Sequence, residues 1–199
     1  MANDLFLTRR GVLAGLTGAA LVPFPAFALS ESGATSLVQT LVAEIQKAIG
    51  SGKSEAQILK DFERIFDRYA DVPTIARFSL GVAARSASSS ELNAYTDAFS
   101  GYIARKYGTR FDEFIGGKVT VKRARMDGKV MVVETVADLR GQAPFRVDFH
   151  VSDRSGKDKV FNVIIEGINM LTTERTEIGA LLDQSGGSVS KLTQKLKTI

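Results

Sequence analysis

Two side chains in the segment PFRVDFHV are suited to acid/base chemistry, Asp148 and His150. Residues two positions apart in a strand point to the same face, so this pair meets the minimum geometry of a general acid and base. The 199 residues contain no other histidine and no cysteine, which excludes metal sites built from several imidazole or thiolate ligands. One hypothesis is therefore an enzyme on a cystatin-like or nuclear-transport-factor-like fold that uses Asp148 and His150.

A more ordinary interpretation of the same segment is a strand with one solvated face, as antiparallel sheets commonly have. Its polar and apolar residues alternate strictly. The polar face would carry Arg146, Asp148 and His150, and the apolar face would carry Phe145, Val147, Phe149 and Val151. On this interpretation we expect no catalytic residue, no metal ion and no cofactor.

The first half of the sequence is predicted to be helical, because apolar residues recur every three or four positions in four segments between residues 37 and 107. Ser54 with Gln57 and Ser88 with Glu91 are capping-box patterns that place the starts of the second and fourth helices. Two more helical segments are predicted near the C-terminus, at about 168–183 and from 188 to the end.

Between these helical regions the apolar period changes to two, which predicts strands. Asp127-Gly128 predicts a tight hairpin turn between the first two strands. The four predicted strands are KVTVKRAR, KVMVVETVADL, PFRVDFHV and KVFNVIIEG. The sequence therefore predicts an α+β fold in which helices pack around a small, curved antiparallel sheet of about four strands.

The second and fourth predicted strands are apolar on both faces, which raises the question of what covers the second face. Either helices pack on both faces, or the sheet and the aromatic helices enclose a cavity for an apolar ligand. For the second case the predicted lining from the helices is Phe62, Phe66, Phe78, Phe99 and Tyr102. The predicted lining from the strands is Phe145, Val147, Phe149, Phe161, Val163 and Ile165.

The N-terminal segment 1–28 has the layout of a cleaved export signal, with Arg9-Arg10 before a weakly apolar stretch and Ala26-Phe27-Ala28 as the cleavage site. The paired arginines favour the twin-arginine route over the ordinary secretory route. The apolar run is shorter than the roughly 20 residues of a membrane span. We therefore predict cleavage after Ala28 and a single domain, 29–199, in the bacterial periplasm.

Five basic residues lie around the predicted hairpin, namely Lys118, Lys122, Arg123, Arg125 and Lys129. Among them, the basic group Lys122, Arg123 and Arg125 is the candidate contact. Such residues often only discourage strands from pairing edge to edge. They could alternatively contact anionic lipid headgroups or an acidic partner. The formal net charge of the whole chain is only +4, which is too balanced to predict nucleic-acid binding.

Several motifs resemble the Mla-type (MlaC-like, toluene-tolerance) periplasmic phospholipid-binding proteins, the soluble shuttle of an ABC-type lipid transport system. The resemblance runs from about Phe62 to the C-terminus. Its more specific parts are Asp71 with Ala76-Arg77-Phe78, Leu80-Gly81, the region of Tyr107, and 163–175 with Glu166-Gly167. None of these motifs is catalytic.

The resemblance implies helices around a small sheet, with the acyl chains of a two-chain phospholipid inside and the headgroup near solvent. It implies an inner-membrane ABC lipid transporter complex and an outer-membrane lipoprotein complex as partners, with only transient membrane contact. Arg175, together with Lys122, Arg123 and Arg125, is the predicted contact to a headgroup or partner.

Two positions depart from the family pattern, since Phe161 stands where a tryptophan is usual and Glu174 where an aromatic residue precedes Arg175. A related branch of the family is associated with hopanoids. A rigid polycyclic lipid is therefore the alternative cargo.

Overall fold

The structure is a computed structural model that describes residues 29–108 and 114–199. The predicted export signal, its Arg9-Arg10 pair and the Ala26-Phe27-Ala28 cleavage site lie outside the described residues, so these remain predictions. No helix in the described part of the chain has the length and apolar character needed to cross a membrane.

Six α helices form within the described residues, and the predicted starts of the second and fourth are confirmed. The Ser54 amide donates to Gln57 Oε1 at 3.2 Å, and the Ser88 amide donates to Glu91 Oε2 at 3.0 Å. The helices are α1 (Glu31–Ile49), α2 (Glu55–Tyr69), α3 (Val72–Leu80), α4 (Ser89–Gly108), α5 (Met170–Gln184) and α6 (Val189–Leu196). A short 3₁₀ helix, Gly81–Arg85, follows α3.

Helix α1 begins before the apolar pattern that predicted it, because its first turn is polar. Ser30 is the N-cap, and its hydroxyl oxygen accepts a hydrogen bond from the Gly33 amide at 3.0 Å. The cap satisfies one of the backbone N–H groups that the first turn of a helix leaves without an internal partner. Apolar periodicity identifies the buried side of a helix and therefore misses such a polar start.

The sheet is antiparallel with the strand order β1-β2-β3-β4-β5. The strands are β1 (Lys118–Asp127), β2 (Val130–Asp138), β3 (Phe145–Ser152), β4 (Lys159–Ile165) and β5 (Ile168–Asn169). The α+β fold and the four predicted strands are confirmed. The short β5 occupies the position where the sequence predicted the start of a helix, and α5 follows it directly.

The predicted hairpin turn lies one residue further along the chain than expected. Asp127 pairs with Val130 in the ladder, so the two-residue loop is Gly128-Lys129. Gly128 adopts a φ of 60°, which glycine reaches without a steric penalty. The Asp127-Gly128 pair therefore predicted the hairpin correctly, although Asp127 is the last residue of β1 and not part of the loop.

A second tight turn, Glu166-Gly167, connects β4 to β5. Both residues have positive φ, 49° for Glu166 and 81° for Gly167. Glu166 Oε1 accepts a hydrogen bond from the Arg146 amide at 2.5 Å, which offsets the cost of the left-handed backbone at a residue other than glycine. The turn directs the chain from the sheet into α5.

Two hydrophobic clusters form the core of the part of the chain that the structure describes. One lies among α3, α4, α5 and α6 and includes Phe99, Ile178 and Leu192. The other lies between α1, α2 and the sheet and includes Val38 and Val133. The opposite face of the sheet carries charged side chains, namely Arg123, Arg125, Glu134, Arg146 and Asp148.

Candidate functional site

A cavity of about 320 Å³ lies between the sheet and the helices. Its described lining comes from α1, α2, α3, α4 and α5 and from β1 to β4. Most of the lining side chains are apolar. The polar ones in the described part of the chain are Gln46, Tyr107, Asn162 and Glu174. Such a space suits an elongated apolar ligand, and its volume is at the lower end of the range usual for small-molecule sites.

The six residues predicted from the strands all line this cavity. On β3 the alternation of PFRVDFHV directs Phe145, Val147 and Phe149 to it. In the neighbouring strand Val163 is paired with Phe149, and Ile165 is paired with Val147. Side chains directly opposite each other on paired strands lie on the same face, so β3 and β4 form one continuous apolar wall.

A shift in register between β3 and β4 explains why β4 is apolar at consecutive positions. His150 pairs with Asn162 and Val151 pairs with Val160, so Phe161 is an extra residue. Such a bulge interrupts the alternation of a strand. As a result Val160, Phe161, Asn162 and Val163 all line the cavity.

The helices contribute the other wall, and here the sequence predicted only part of the lining. Phe62 and Phe66 of α2 line the cavity as predicted from the aromatic pattern. The α1 residues Leu41, Val42, Ile45 and Ile49 also line it but were not predicted. The sequence did indicate them, because the apolar side of α1 is wider than packing against α2 alone would need.

Three predicted lining residues, Phe78, Phe99 and Tyr102, are not among the residues that line the cavity. Phe99 and Tyr102 are buried in the cluster of α3 to α6. Phe78 is half-buried, and the Arg175 guanidinium carbon lies 4.9 Å from the centroid of its ring. The apolar side of α4 packs against other helices instead of the sheet. The periodicity of apolar residues shows which side of a helix is buried, but it does not show which element that side packs against.

Arg175 lies on the exposed side of α5, against α3. Besides stacking on Phe78, it fills the space next to Gly81, where an added Cβ would lie 3.2 Å from Arg175 Nη2. Gly81 has a φ of 61°, which also favours glycine. Arg175 therefore lies beside both Phe78 and Gly81, so these two sequence motifs meet at one place near the surface.

One acidic side chain, Glu174 of α5, lies at the cavity wall and is buried. Its Oε1 accepts a hydrogen bond from Lys106 Nζ at 2.7 Å and another from the Tyr107 hydroxyl. Its Oε2 is buried and has no hydrogen-bond partner among the residues that the structure describes. The sequence offered one signal for this residue, its departure from the aromatic type usual at this position.

The hydrogen bonds continue outward from Glu174 to the surface. Lys106 Nζ also donates to Glu177 Oε2, and the Tyr102 hydroxyl donates to Glu177 Oε1 at 2.6 Å. Burial and the bond to Glu177 raise the pKa of Tyr102. Burial opposes the charge on Lys106, but its bonds to Glu174 and Glu177 outweigh that effect and raise the pKa of Lys106.

On the opposite face of the sheet, Glu134 binds the predicted basic residues. Arg123 donates to both Glu134 oxygens at 2.8 and 2.9 Å, and Arg125 Nε donates to Oε1 at 3.0 Å. The bonds from Arg123, followed by those from Arg125, lower the pKa of Glu134 to about 2. Two of the three basic residues are therefore paired within the protein, whereas Lys122 is exposed.

Asp148 and His150 lie on this outer face and not among the cavity-lining residues. Asp148 accepts hydrogen bonds from Arg146 Nε at 2.8 and 3.0 Å. Burial lowers the pKa of His150, with Asp148 opposing the shift, and the His150 ring lies 5.9 Å from the Phe161 ring. Among the described residues no group of three His, Asp or Glu side chains could hold a metal ion.

Comparison with known protein families identifies the family to which this chain belongs. The sequence model described as MlaC protein matches residues 35–198. The chain belongs to the MlaC protein family. The match begins upstream of Phe62 and includes most of α1, so it extends the resemblance found from the motifs to nearly the whole described chain.

The MlaC-family fold is also found in a solved structure, the phospholipid-binding protein from Ralstonia solanacearum in complex with a phospholipid, at 1.53 Å resolution. The two chains are 20% identical and superpose with a TM-score of 0.70. The similarity covers 82% of this chain and 94% of that chain. At this identity the comparison establishes the shared fold of helices around an antiparallel sheet.

Proposed function

We propose that this MlaC-family protein is a lipid carrier that holds the acyl chains of a phospholipid in the cavity between its sheet and helices. The observation that carries the proposal is the continuous apolar wall of Phe145, Val147, Phe149, Val163 and Ile165, which lines one cavity together with the apolar side of α1. The phospholipid-binding function of the Ralstonia protein, which has the same fold, supports the same ligand class.

The energetics suit a carrier. Burying one methylene is worth about 0.8 kcal/mol, so two sixteen-carbon chains represent roughly 25 kcal/mol that transfer through water would cost. Apolar walls replace the hydrocarbon environment without directional bonds. Release to a membrane or to another apolar site is then close to neutral in free energy, which a shuttle requires.

The cavity of about 320 Å³ is at the lower end of the range usual for ligand sites. We expect it to widen when two full-length chains enter. Most side chains that line the cavity are apolar, so we expect this movement to break few hydrogen bonds.

We place the carrier in the bacterial periplasm, as the soluble shuttle of an ABC-type lipid transport system. The export signal predicted at 1–28 supports this location, and membership of the MlaC family supports the transport role. The proposed partners are an inner-membrane ABC lipid transporter complex and an outer-membrane lipoprotein complex.

The proposed contact to a partner or to headgroups uses Arg175 of α5 together with Lys122, Arg123 and Arg125 of β1. Arg175 is exposed beside Phe78, and Lys122 is exposed on β1. Arg123 and Arg125 are bound to Glu134 and contribute less free charge. Lys122 is therefore the residue of the basic group best placed to meet an anionic surface.

Native mass spectrometry of freshly purified protein tests the proposal. We expect an adduct with the mass of a two-chain phospholipid, which is lost on organic extraction and regained from phospholipid vesicles. A hopanoid mass would instead identify the polycyclic alternative. Protein that neither carries nor takes up any lipid would refute the carrier function.

A further inference from the structure

The buried carboxylate of Glu174 suggests that the ligand contributes a polar group of its own. The Glu174 side chain is 5% exposed and lies at the cavity wall. Its Oε1 is bound by Lys106 and Tyr107, while Oε2 is the buried side-chain polar atom without a partner in the described part of the protein. Buried polar atoms of folded proteins are nearly always hydrogen-bonded, so an unpaired carboxylate oxygen points to a missing donor.

Within the described part of the chain, no polar group donates a hydrogen bond to Glu174 Oε2. Among the described residues, the Lys106 ammonium binds the carboxylates of both Glu174 and Glu177. The other polar lining residues are engaged elsewhere through at least one atom. Gln46 Nε2 donates to the Gly117 carbonyl at 3.1 Å, and Asn162 Oδ1 accepts from the Leu171 amide at 3.1 Å.

We propose that Glu174 Oε2 accepts a hydrogen bond from an N–H or O–H group of the lipid, and that Glu174 thereby selects lipids that carry such a donor. The proposal rests on the carrier function proposed above and names its ligand more closely. Two sources offer the donor, a primary ammonium in the headgroup or a headgroup hydroxyl.

The position of Glu174 fits a headgroup contact. The hydrogen-bond chain from Glu174 through Lys106 reaches Glu177, whose side chain is 43% exposed, so the polar end of the cavity lies close to the surface. Met170 and Leu171, one turn earlier on α5, line the cavity as apolar side chains. A lipid with its tails against the sheet and its head at Glu174 would match the change from apolar to polar lining.

A competition among matched lipids tests the inference. Delipidated wild-type protein is incubated with vesicles of equimolar phosphatidylethanolamine, phosphatidylglycerol and phosphatidylcholine with identical acyl chains, and the bound lipids are counted by native mass spectrometry. Phosphatidylcholine has neither an N–H nor an O–H donor. We expect it to be loaded roughly tenfold less than a donor lipid, as for one hydrogen bond to a charged group. Enrichment of phosphatidylethanolamine identifies the ammonium, and enrichment of phosphatidylglycerol identifies the hydroxyl.

The variant Glu174→Gln should abolish this preference. The glutamine oxygen would remain on the Lys106 and Tyr107 donors, which leaves an amide N–H₂ donor facing the ligand donor. Glu177→Gln is the matched control, because it makes the same change in the same hydrogen-bond chain outside the cavity lining. It should keep the wild-type preference. Circular dichroism and thermal melting establish that each variant is folded.

The outcomes separate this inference from the carrier function. Equal loading of the three lipids by the wild type, or an unchanged preference in folded Glu174→Gln, overturns the role of Glu174 and leaves the carrier intact. Uptake of none of the lipids by the wild type overturns the carrier function itself. If Glu174→Gln does not fold, the wild-type ratio of donor lipid to phosphatidylcholine decides the matter alone.

Discussion

Val147 of β3 lies directly opposite Ile165 of β4 in the sheet, and both side chains line the cavity. The residues that flank Val147 in sequence, Arg146 and Asp148, bind each other on the opposite face. One strand therefore separates the apolar interior from a charged outer surface. Substitutions on its two faces should have different effects on bound lipid.

Replacing Val147 or Val163 with Asp should remove bound lipid. Either change puts a carboxylate among apolar side chains, where an unpaired charge costs several kcal/mol or becomes protonated. The measurement is the lipid content of the folded variant by native mass spectrometry, with circular dichroism as the test of folding. A folded Val147→Asp protein that keeps its full lipid content would contradict the assignment of the cavity face.

Val136→Asp is the matched control for this change. Val136 is half-buried, pairs with Arg146 across β2 and β3, and is not among the cavity-lining residues. A carboxylate there would meet the Arg146 guanidinium. We expect Val136→Asp to keep its lipid, and loss of lipid from this variant would show that the effect of the Asp substitutions does not depend on which face of the sheet they occupy.

Phe99→Leu should destabilise the protein without changing its lipid content. Phe99 is fully buried among the helices, with its ring centroid 5.8 Å from that of Tyr95 and 6.3 Å from that of Tyr102. The smaller side chain leaves a cavity, and we expect a loss of about 1 to 2 kcal/mol in the free energy of unfolding.

Phe161→Leu at the cavity wall should show the reverse pattern, with weaker lipid retention and a smaller change in lipid-free stability. Chemical denaturation and lipid mass spectra measure the two effects.

The ion pairs of Glu134 should make stability depend on pH in the acid range. The folded-state pKa of Glu134 is about 2, below its ordinary value of 4.5. A lowered pKa contributes stability above pH 4.5, and that contribution is lost as the pH falls from 4.5 to 2. Because the arginines are largely exposed, we expect about 1 kcal/mol, a change of roughly 2 to 4 °C in Tm.

Glu134→Gln should therefore lower Tm at pH 7 and flatten the fall of Tm between pH 4.5 and 2. Melting curves of both proteins across this range provide the test. If the two curves of Tm against pH run parallel, the ion pairs of Glu134 do not stabilise the fold in the proposed way.

Lys122→Glu should weaken binding to anionic vesicles without affecting the ion pairs of Glu134. Lys122 is exposed, and charges at the surface are screened over about 8 Å at physiological ionic strength. We therefore expect vesicle binding to weaken with added salt and with Lys122→Glu. The control Lys60→Glu reverses an exposed charge on α2 and should bind as the wild type does. Equal effects of the two variants would argue against a specific basic contact.

The local structure of this protein could be predicted from the sequence because it depends on neighbouring residues. The capping residues Ser54 and Ser88, the Asp127-Gly128 hairpin signal and the strict alternation of PFRVDFHV each act within a few positions. They identified the helices, the four main strands and the α+β class. They also limited the cavity lining on β3 to one of two alternating sets.

The tertiary structure decided which of those sets faces the cavity and which helices oppose it. Apolar periodicity places Phe66 and Phe99 alike on the buried side of a helix, yet only Phe66 lines the cavity, because α4 packs against helices and α2 faces the sheet. The extra residue Phe161 depends on the register between β3 and β4.

The polar end of the cavity also required the tertiary structure. Glu174 binds Lys106, which lies 68 positions earlier in the chain. Propensity and periodicity describe interactions between residues close in sequence, whereas burial of a charge depends on partners that the packing of whole helices brings together. The sequence by itself therefore determined the elements and their apolar faces, and the tertiary packing that brings Lys106 of α4 next to Glu174 of α5 determined where a buried carboxylate lies at the cavity wall.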